Sequence, residues 1–177
     1  YDIDKTIFSY ALSNFRATNY KINLNNEDYL KASWTQKYDA IICNPPYLKF
    51  HDYDNATLIP LVNKKLQTHL NGFTNIYTLF LLKSVFQLKE NGRLAYIIPS
   101  EFLNSDYGVE VKRELLKSGT LRHVIIVDFN QCAFDDALTT ACVLLCQNTK
   151  TSNEVSFSTI KNMEDLSSFM RTGVSYN

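Results

Sequence analysis

The tetrapeptide Asn44-Pro45-Pro46-Tyr47 contains the residues of this chain best suited to chemistry. It follows Tyr38–Cys43, a short apolar run that is typical of a buried strand. The Asn44 side-chain oxygen and the Pro45 backbone carbonyl can accept hydrogen bonds from the two N–H groups of a planar amine. Such preorganised acceptors stabilise the charge that develops when the nitrogen attacks a methyl sulfonium. The tetrapeptide therefore predicts methylation of an exocyclic amine, with N6 of adenine as the favoured acceptor.

The other residue types of the tetrapeptide suit the same chemistry. Proline fixes φ and pushes the preceding residue into an extended conformation, so Pro45 and Pro46 form a stiff end to the strand. Tyr47 offers a flat face on which a base taken out of the duplex can stack. The alternative is a proline-punctuated turn in which Tyr47 is a core aromatic. We predict a catalytic role for all four residues because ligands of open α/β sheets bind where strands end.

Length and composition bound the class of protein. The 177 residues are enough for one domain with a sizeable core. The 18 Lys and Arg residues balance 18 Asp and Glu residues, which argues against a protein that coats DNA but leaves room for a local basic patch. No charged-then-apolar segment opens the sequence and no apolar run approaches about 18 residues, so neither a secretion signal nor a membrane span is predicted. Its four cysteines lie in apolar stretches without a C-x-x-C pair, which indicates reduced thiols and a cytoplasmic protein: Cys43, Cys132, Cys142 and Cys146.

Hydrophobic periodicity predicts an α/β fold in which strands alternate with helices. Helices are expected at 5–18 with Asp4 as N-cap, around 59–69, at 75–89 ending at Asn91-Gly92, and at 107–117. Strands are expected at 21–24, 39–43, 93–98, 121–127, 139–146 and 155–160, followed by a frayed tail. The link between 127 and 139 is short and contains no helical pattern, so the strands that it joins should pair antiparallel. The prediction is a doubly wound sheet with an antiparallel strand near its edge.

Four further segments stand in a fixed order with the tetrapeptide: Tyr1-Asp2-Ile3-Asp4, Asn25 to Leu30, Asn75-Ile76-Tyr77-x-x-Phe80-Leu81, and Gly92 to Leu103. Together they resemble the gamma-class, S-adenosylmethionine-dependent DNA adenine-N6 methyltransferases of type II restriction–modification systems, over about residues 1–147. The resemblance implies a Rossmann-like methyltransferase sheet, S-adenosylmethionine as cofactor and double-stranded DNA as partner. It also implies that the target adenine is flipped out of the duplex.

The resemblance implies roles for individual residues. Asp2 and Ile3 would contact the cofactor, with the Asp2 carboxylate on the ribose hydroxyls. Asp28 would accept from the amino group of the cofactor adenine, while Tyr29 and Phe80 would pack on that ring. Phe134 would pack on the flipped adenine opposite Tyr47. Taken without the resemblance, the same residues could be solvated acids, a polar turn, a core stripe and a loop aromatic.

The sequence departs from the family pattern at both ends. The first strand and its glycine-rich loop, which contacts the cofactor's methionine part, are not found, and neither is a target-recognition domain. We therefore interpret 1–150 as a partial catalytic domain and 151–177 as an extension or the start of a linker, with further segments of the same polypeptide as partners. The chain alone is expected to bind S-adenosylmethionine weakly and not to methylate DNA. Micromolar affinity in calorimetric titration would contradict this.

Other polar residues are less informative. His51, His69 and His123 lack metal-ligand spacing, so no metal site is predicted. Three lysines near the tetrapeptide could meet phosphates, although solvated lysines are more common: Lys49, Lys64 and Lys65.

Two rival functions stay open at this point. The tetrapeptide fits any planar conjugated amine, so the acceptor could be a glutamine amide (N5) of a protein release factor or an amine of RNA. The chain could also be a module that binds DNA or a partner without catalysis.

Overall fold

The structure, a computed structural model, describes residues 1–128, 140–149 and 154–172. Its centre is a five-stranded sheet in the order β1-β2-β4-β3-β5. The strands are β1 (Tyr38–Cys43), β2 (Leu88–Pro99), β3 (Leu121–Val127), β4 (Ala141–Gln147) and β5 (Ser156–Ile160). Strand β4 runs antiparallel to both of its neighbours, whereas the pairs β1–β2 and β3–β5 are parallel. Because β1 and β2 are parallel neighbours, the loops that follow them lie together at the carboxyl ends of the two strands, which we call the carboxyl edge of the sheet.

The described helices are α1 (Lys5–Arg16), α2 (Asn55–Leu66), α3 (Ile76–Phe86), α4 (Tyr107–Lys117) and α5 (Met163–Thr172), and a short 3₁₀ turn spans Ser100–Leu103. The start of α1 confirms the predicted cap, because the Asp4 carboxylate accepts hydrogen bonds from the first-turn amides of Thr6 and Ile7. Helix α3 is apolar on nearly all sides, and most of its residues are buried. No helix in the described ranges is long and apolar enough to cross a membrane.

The core lies on the face of the sheet that α3 covers. Side chains of β1, β2 and β4 that point to this face are buried or half-buried, among them Ile41, Leu94, Tyr96, Ile98, Cys142 and Leu144. Along β4 every second residue is buried, as expected for a strand that covers a core with one face. The opposite face is more open at the β1 edge, where the Ile42 side chain is 89% exposed.

The predicted strand at 21–24 is wrong, since these residues form no ladder. They lie beside the amino terminus, where the Asp2 amide donates to the Asn25 carbonyl at 3.0 Å and the Asn26 side chain donates to the Asp2 carbonyl at 2.8 Å. One such contact does not make a strand, because a stable strand needs a continuous partner.

Three other expectations differ in detail. Helix α3 ends at Phe86, and Asn91 takes its left-handed conformation (φ 62°) within β2, where the register with β1 shifts, instead of capping the helix. The expected frayed tail contains α5. The predicted antiparallel pairing of the strands at 121–127 and 139–146 is confirmed, but β4 is the third of five strands and not near the edge. The reason is that β5 extends the sheet by pairing with the outer side of β3.

Candidate active site

The tetrapeptide forms the loop that leaves β1 at the carboxyl edge of the sheet. The single proton of the Tyr47 hydroxyl is shared between two acceptors, the Ile97 carbonyl of β2 at 3.1 Å and the Asn44 side-chain oxygen. These contacts tie the loop to the neighbouring strand and point the Asn44 oxygen toward Tyr47. An amide oxygen has two lone pairs, so Asn44 can accept a second hydrogen bond while it holds Tyr47.

The four residues of the tetrapeptide differ in their exposure to solvent. Asn44, Pro46 and Tyr47 are exposed, whereas Pro45 is buried. Within the described ranges no side chain or amide donates to the Pro45 carbonyl. Tyr47 is 48% exposed, and its ring makes a T-shaped contact with the Tyr77 ring at a centroid distance of 6.2 Å. Part of the Tyr47 side chain is therefore open to solvent.

An aromatic cavity of about 480 Å³ lies beside β1 and next to the tetrapeptide. Its lining consists of Tyr1, Tyr29, Tyr38, Ala40, Ile41, Ile42, Cys43, Phe80, Ser84 and Tyr96. Cys43 and Tyr96 also line a second cavity of about 330 Å³, which includes Asn44. Cys43, the last residue of β1, lines the aromatic cavity, and the tetrapeptide begins at the next residue. The aromatic cavity and the start of the tetrapeptide are therefore close together.

Two residues predicted to pack on a cofactor ring meet in the aromatic cavity. The rings of Tyr29 and Phe80 are 5.2 Å apart, and Tyr1 packs on the other side of Tyr29 at 5.4 Å. The Tyr29 hydroxyl contacts the Ser84 hydroxyl at 2.8 Å and donates to the Gln87 side chain at 2.7 Å. Burial raises the pKa of Tyr29 to about 12, so the phenol stays neutral and presents an uncharged face to the cavity.

The other predicted cofactor residues lie outside the cavity lining. One oxygen of the Asp2 carboxylate accepts from the Asp4 amide at 2.8 Å, and the Ile3 side chain is 74% exposed. One oxygen of Asp28 accepts from the Leu30 amide at 2.9 Å, while the other lies 3.9 Å from the Lys31 ammonium. Both acids nevertheless flank cavity residues in the chain, Asp2 next to Tyr1 and Asp28 next to Tyr29.

A buried lysine that the sequence reading missed holds the loop carrying Tyr29. Lys83 is 0% exposed, and its ammonium group donates to the carbonyls of Tyr29 and Ala32. The charge also lies 4.4 Å from the Tyr29 ring centroid and 4.8 Å from that of Trp34. Desolvation lowers the pKa of Lys83 to about 8, against the opposing attraction of Asp28 and Glu27. The only signal in the sequence is a single charge inside an apolar helix, three residues after Phe80.

The remaining candidates contribute less. Phe134 lies outside the described residues, so its predicted place opposite Tyr47 stays a prediction. His123 contacts the Ser158 hydroxyl at 2.8 Å, which is a pairing between neighbouring strands. The part of the chain that the structure describes contains no cluster of residues able to hold a metal ion. Lys64 and Lys65 lie in the last turn of α2, where their positive charges interact favourably with the negative end of the helix dipole.

The topology and the cavity beside β1 define the class of fold. The structure superposes on a protein of Listeria monocytogenes described as a class I S-adenosylmethionine-dependent methyltransferase, with a TM-score of 0.73 at 18% identity. That match covers 96% of this chain and 51% of the other. The predicted Rossmann-like methyltransferase fold is thereby confirmed.

The sequence comparison is more specific. The family model of the Eco57I restriction-modification methylases matches residues 2–134, and the chain belongs to this family. The type II methyltransferase M.AccI of Acinetobacter calcoaceticus is 50% identical over 187 aligned residues, which cover 100% of this chain and 34% of that protein. A tRNA1(Val) (adenine(37)-N6)-methyltransferase of Vibrio vulnificus is 29% identical over 100 residues, or 55% of this chain and 39% of that protein. The chain thus spans about a third of the length of these curated relatives.

Proposed function

We propose that this chain carries the catalytic site of an S-adenosylmethionine-dependent DNA adenine-N6 methyltransferase of a restriction–modification system. The observation that carries the proposal is the juxtaposition at the end of β1. There Asn44 and Pro45 follow directly after Cys43, which lines the aromatic cavity, and Asn44 lines the second cavity together with Cys43. The family supplies the restriction–modification context, and the tRNA methyltransferase among the relatives acts, by its name, on N6 of an adenine.

The acceptor pair accounts for the reaction at nitrogen. The N6 amine of adenine is a weak nucleophile because its lone pair is delocalised into the ring. Hydrogen bonds to Asn44 and to the Pro45 carbonyl would favour the pyramidal geometry in which that lone pair becomes available. They would also stabilise positive charge on the nitrogen in the transition state. The extra proton can pass to water after transfer, so no further base is required.

The aromatic cavity suits the cofactor. Its volume of about 480 Å³ lies in the range of small-molecule sites, and its flat side chains suit a purine ring. Tyr29 and Phe80 would hold the adenine of S-adenosylmethionine, with Asp28 at its amino group and Asp2 and Ile3 at the ribose. The bound cofactor supplies an electrophilic methyl group. The aromatic cavity and the cavity that includes Asn44 share Ile42, Cys43 and Tyr96 in their linings, so the methyl donor and the target amine would lie close together.

Tyr47 would hold the target base. An adenine inside the duplex cannot reach the acceptor pair, so the base must be extruded, and stacking on Tyr47 would offset part of that cost. Stacking of one base on an aromatic side chain contributes about 1–3 kcal/mol. Phe134 is proposed for the opposite face of the base.

The test is methyl transfer by the intact protein from labelled S-adenosylmethionine. We expect label in duplex DNA as N6-methyladenine, and label confined to a release factor or to RNA would overturn the choice of substrate. Asn44→Ala should lower kcat by about 10²–10³-fold, as for loss of one preorganised hydrogen-bonding group, with DNA binding nearly unchanged. The control is Asn104→Ala, an exposed asparagine after the 3₁₀ turn whose side chain makes no described hydrogen bond. Full methyl-transfer activity of the Asn44→Ala variant would mean that catalysis does not depend on this site. That result would favour the rival hypothesis, in which this chain only binds DNA or a partner.

RNA is the second candidate substrate. The named activity of the Vibrio vulnificus relative favours it, because that protein methylates an adenine of tRNA. The larger part of the chain nevertheless matches the restriction-modification family, so DNA is the proposed substrate.

A further inference from the structure

Glu101 lies in the 3₁₀ turn that follows β2, at the same edge of the sheet as Tyr47. Its side chain reaches the surface, but one carboxylate oxygen, Oε1, is surrounded by donors. The Tyr107 hydroxyl donates to it at 3.0 Å, the Tyr77 hydroxyl at 3.3 Å, and the Asn75 amide also donates to it. A solvated surface acid would not have three donors, one each from α3, from the N-cap of α3 and from α4, so the contact is specific.

The donors are linked to one another. The Tyr77 and Tyr107 hydroxyls lie 2.6 Å apart, and the Asn75 amide also donates to the Tyr107 oxygen at 3.0 Å. The two hydroxyl protons cannot fill all three contacts at once, so the hydroxyls share them, and Oε1, which carries no proton of its own in a carboxylate, is the common acceptor. Hydrogen bonds to an ionised acceptor are also stronger than neutral ones. The carboxylate therefore sets the direction of the whole network.

The network reaches the residues that follow Tyr47. The Asn75 side-chain oxygen accepts from the Phe50 amide at 3.1 Å, and the Ile76 amide donates to the Leu48 carbonyl at 3.2 Å. Because the Asn75 NH₂ group donates to Glu101, the Asn75 side-chain oxygen faces the Phe50 amide. Reversal of the Asn75 amide would place a donor against the Phe50 N–H. The carboxylate thus fixes the segment immediately after Tyr47.

A second connection runs through Tyr77. The Tyr77 ring meets the Tyr47 ring edge-on, at a centroid distance of 6.2 Å and an interplanar angle of 81°. Its hydroxyl is held by Glu101, so the carboxylate also fixes the ring against which Tyr47 rests. Tyr47 itself contacts the Asn44 oxygen.

We infer that Glu101 is a positioning residue for the base site, which holds Tyr47 and Asn44 in place through Asn75, Tyr77 and Tyr107. The inference rests on the proposed function, because it assigns Tyr47 to the target base. Glu101 touches neither the base nor the cofactor cavity. Its removal should therefore affect the chemical step and leave cofactor binding intact.

The experiment compares Glu101→Ala and Glu101→Gln with the intact protein, using duplex DNA that carries 2-aminopurine at the target position. Glu101→Ala should lower kcat about 10-fold or more and weaken the fluorescence gain of the extruded base, with an unchanged Kd for S-adenosylmethionine. Glu101→Gln retains one acceptor oxygen and should recover part of kcat. Asp106→Ala is the matched control, since this nearby acid makes no side-chain cap contact; it should behave as the unmodified protein.

The outcomes separate the two proposals. An unmodified protein that transfers no methyl group to DNA would overturn the proposed function. An active protein whose Glu101→Ala variant has the same kcat and fluorescence gain would overturn the positioning role alone. A variant that loses cofactor affinity and thermal stability in proportion to kcat would also overturn it, because Glu101 would then support the fold in general. If Glu101→Ala fails to fold, Glu101→Gln decides by the same measurements.

Discussion

Gly108 offers a sharp test of how tightly the sheet edge is packed. It is the second residue of α4, and the 3₁₀ turn that carries Glu101 passes directly over it. A Cβ built on Gly108 would lie 1.7 Å from the Phe102 carbonyl oxygen and 2.7 Å from its carbonyl carbon. Real Cβ atoms essentially never approach closer than 3.0 Å, so the Phe102 backbone would have to move by about 1.3 Å.

Helix propensity and packing predict opposite effects of Gly108→Ala on the free energy of unfolding. Alanine in place of glycine in a helix stabilises by up to about 1 kcal/mol. Overpacking against a fixed backbone commonly costs about 1–3 kcal/mol or more. Phe102 is buried and its backbone cannot yield as a flexible side chain would, so we expect the packing effect to win. The expected net loss is about 2 kcal/mol, or roughly 4–8 °C in Tm for a chain of this size.

Urea and thermal unfolding of the purified chain would measure the change, with Gly72→Ala as control. No atom lies within 4 Å of the Cβ position at Gly72, so that variant should be neutral or slightly stabilised. Equal or higher stability of Gly108→Ala would refute the close approach of the 3₁₀ turn to α4. A destabilised Gly72→Ala would show that the assay does not report packing.

Two further predictions concern buried titratable groups. Because the pKa of Lys83 in the folded chain is about 8, below its ordinary value of 10.5, the unfolded chain binds more protons between those pH values. The free energy of unfolding should rise as pH increases from 8 to 9.5, and Lys83→Met, measured by urea titration, should lack that rise; an equal rise in both would contradict the assignment. Burial raises the pKa of Cys142 and Cys146 to about 12, so in a Cys132→Ala background both thiols should resist alkylation at pH 8 until urea unfolds the chain. Rapid alkylation under native conditions, followed by mass spectrometry, would contradict their burial.

Local patterns predicted the elements that carry their own signals. The Asp4 cap, the amphipathic α4 and the apolar runs of β1 and β3 each depend on neighbours in sequence, and the structure contains all four. The segment at 21–24 has a strand-like pattern but no partner strand, and pairing is a long-range property that composition does not encode. The same reason explains why β4 could be identified as antiparallel while its central position could not. That position depends on β5, whose residues pair with β3 residues 33 positions earlier in the sequence.

The candidate site was predictable to the extent that its chemistry is local. The tetrapeptide concentrates two acceptors and an aromatic ring within four residues, and a strand before it suffices to place it at a sheet edge. Lys83 and Glu101 were missed because their partners lie far away in sequence, and a lone charge within an apolar helix is the only local sign of Lys83. Lys83 donates hydrogen bonds to carbonyls 51 and 54 residues away in sequence. Glu101 accepts hydrogen bonds from Asn75 and Tyr77, which are 26 and 24 residues away.

Helix α3 connects the two halves of the proposed site. Its first turn, with Asn75 as cap and Tyr77, contacts the side proposed for the target base, while Lys83 and Ser84 hold the Tyr29 side of the aromatic cavity. From residue 76 to residue 84 the helix rises about 12 Å, a span that one stiff element can bridge without a hinge. Most of its residues are buried, so it cannot shift at one end and stay fixed at the other. In the proposed site, a single rigid helix would therefore set the spacing between cofactor and base. It presents Phe80 to the aromatic cavity, and its other buried side chains hold it in place.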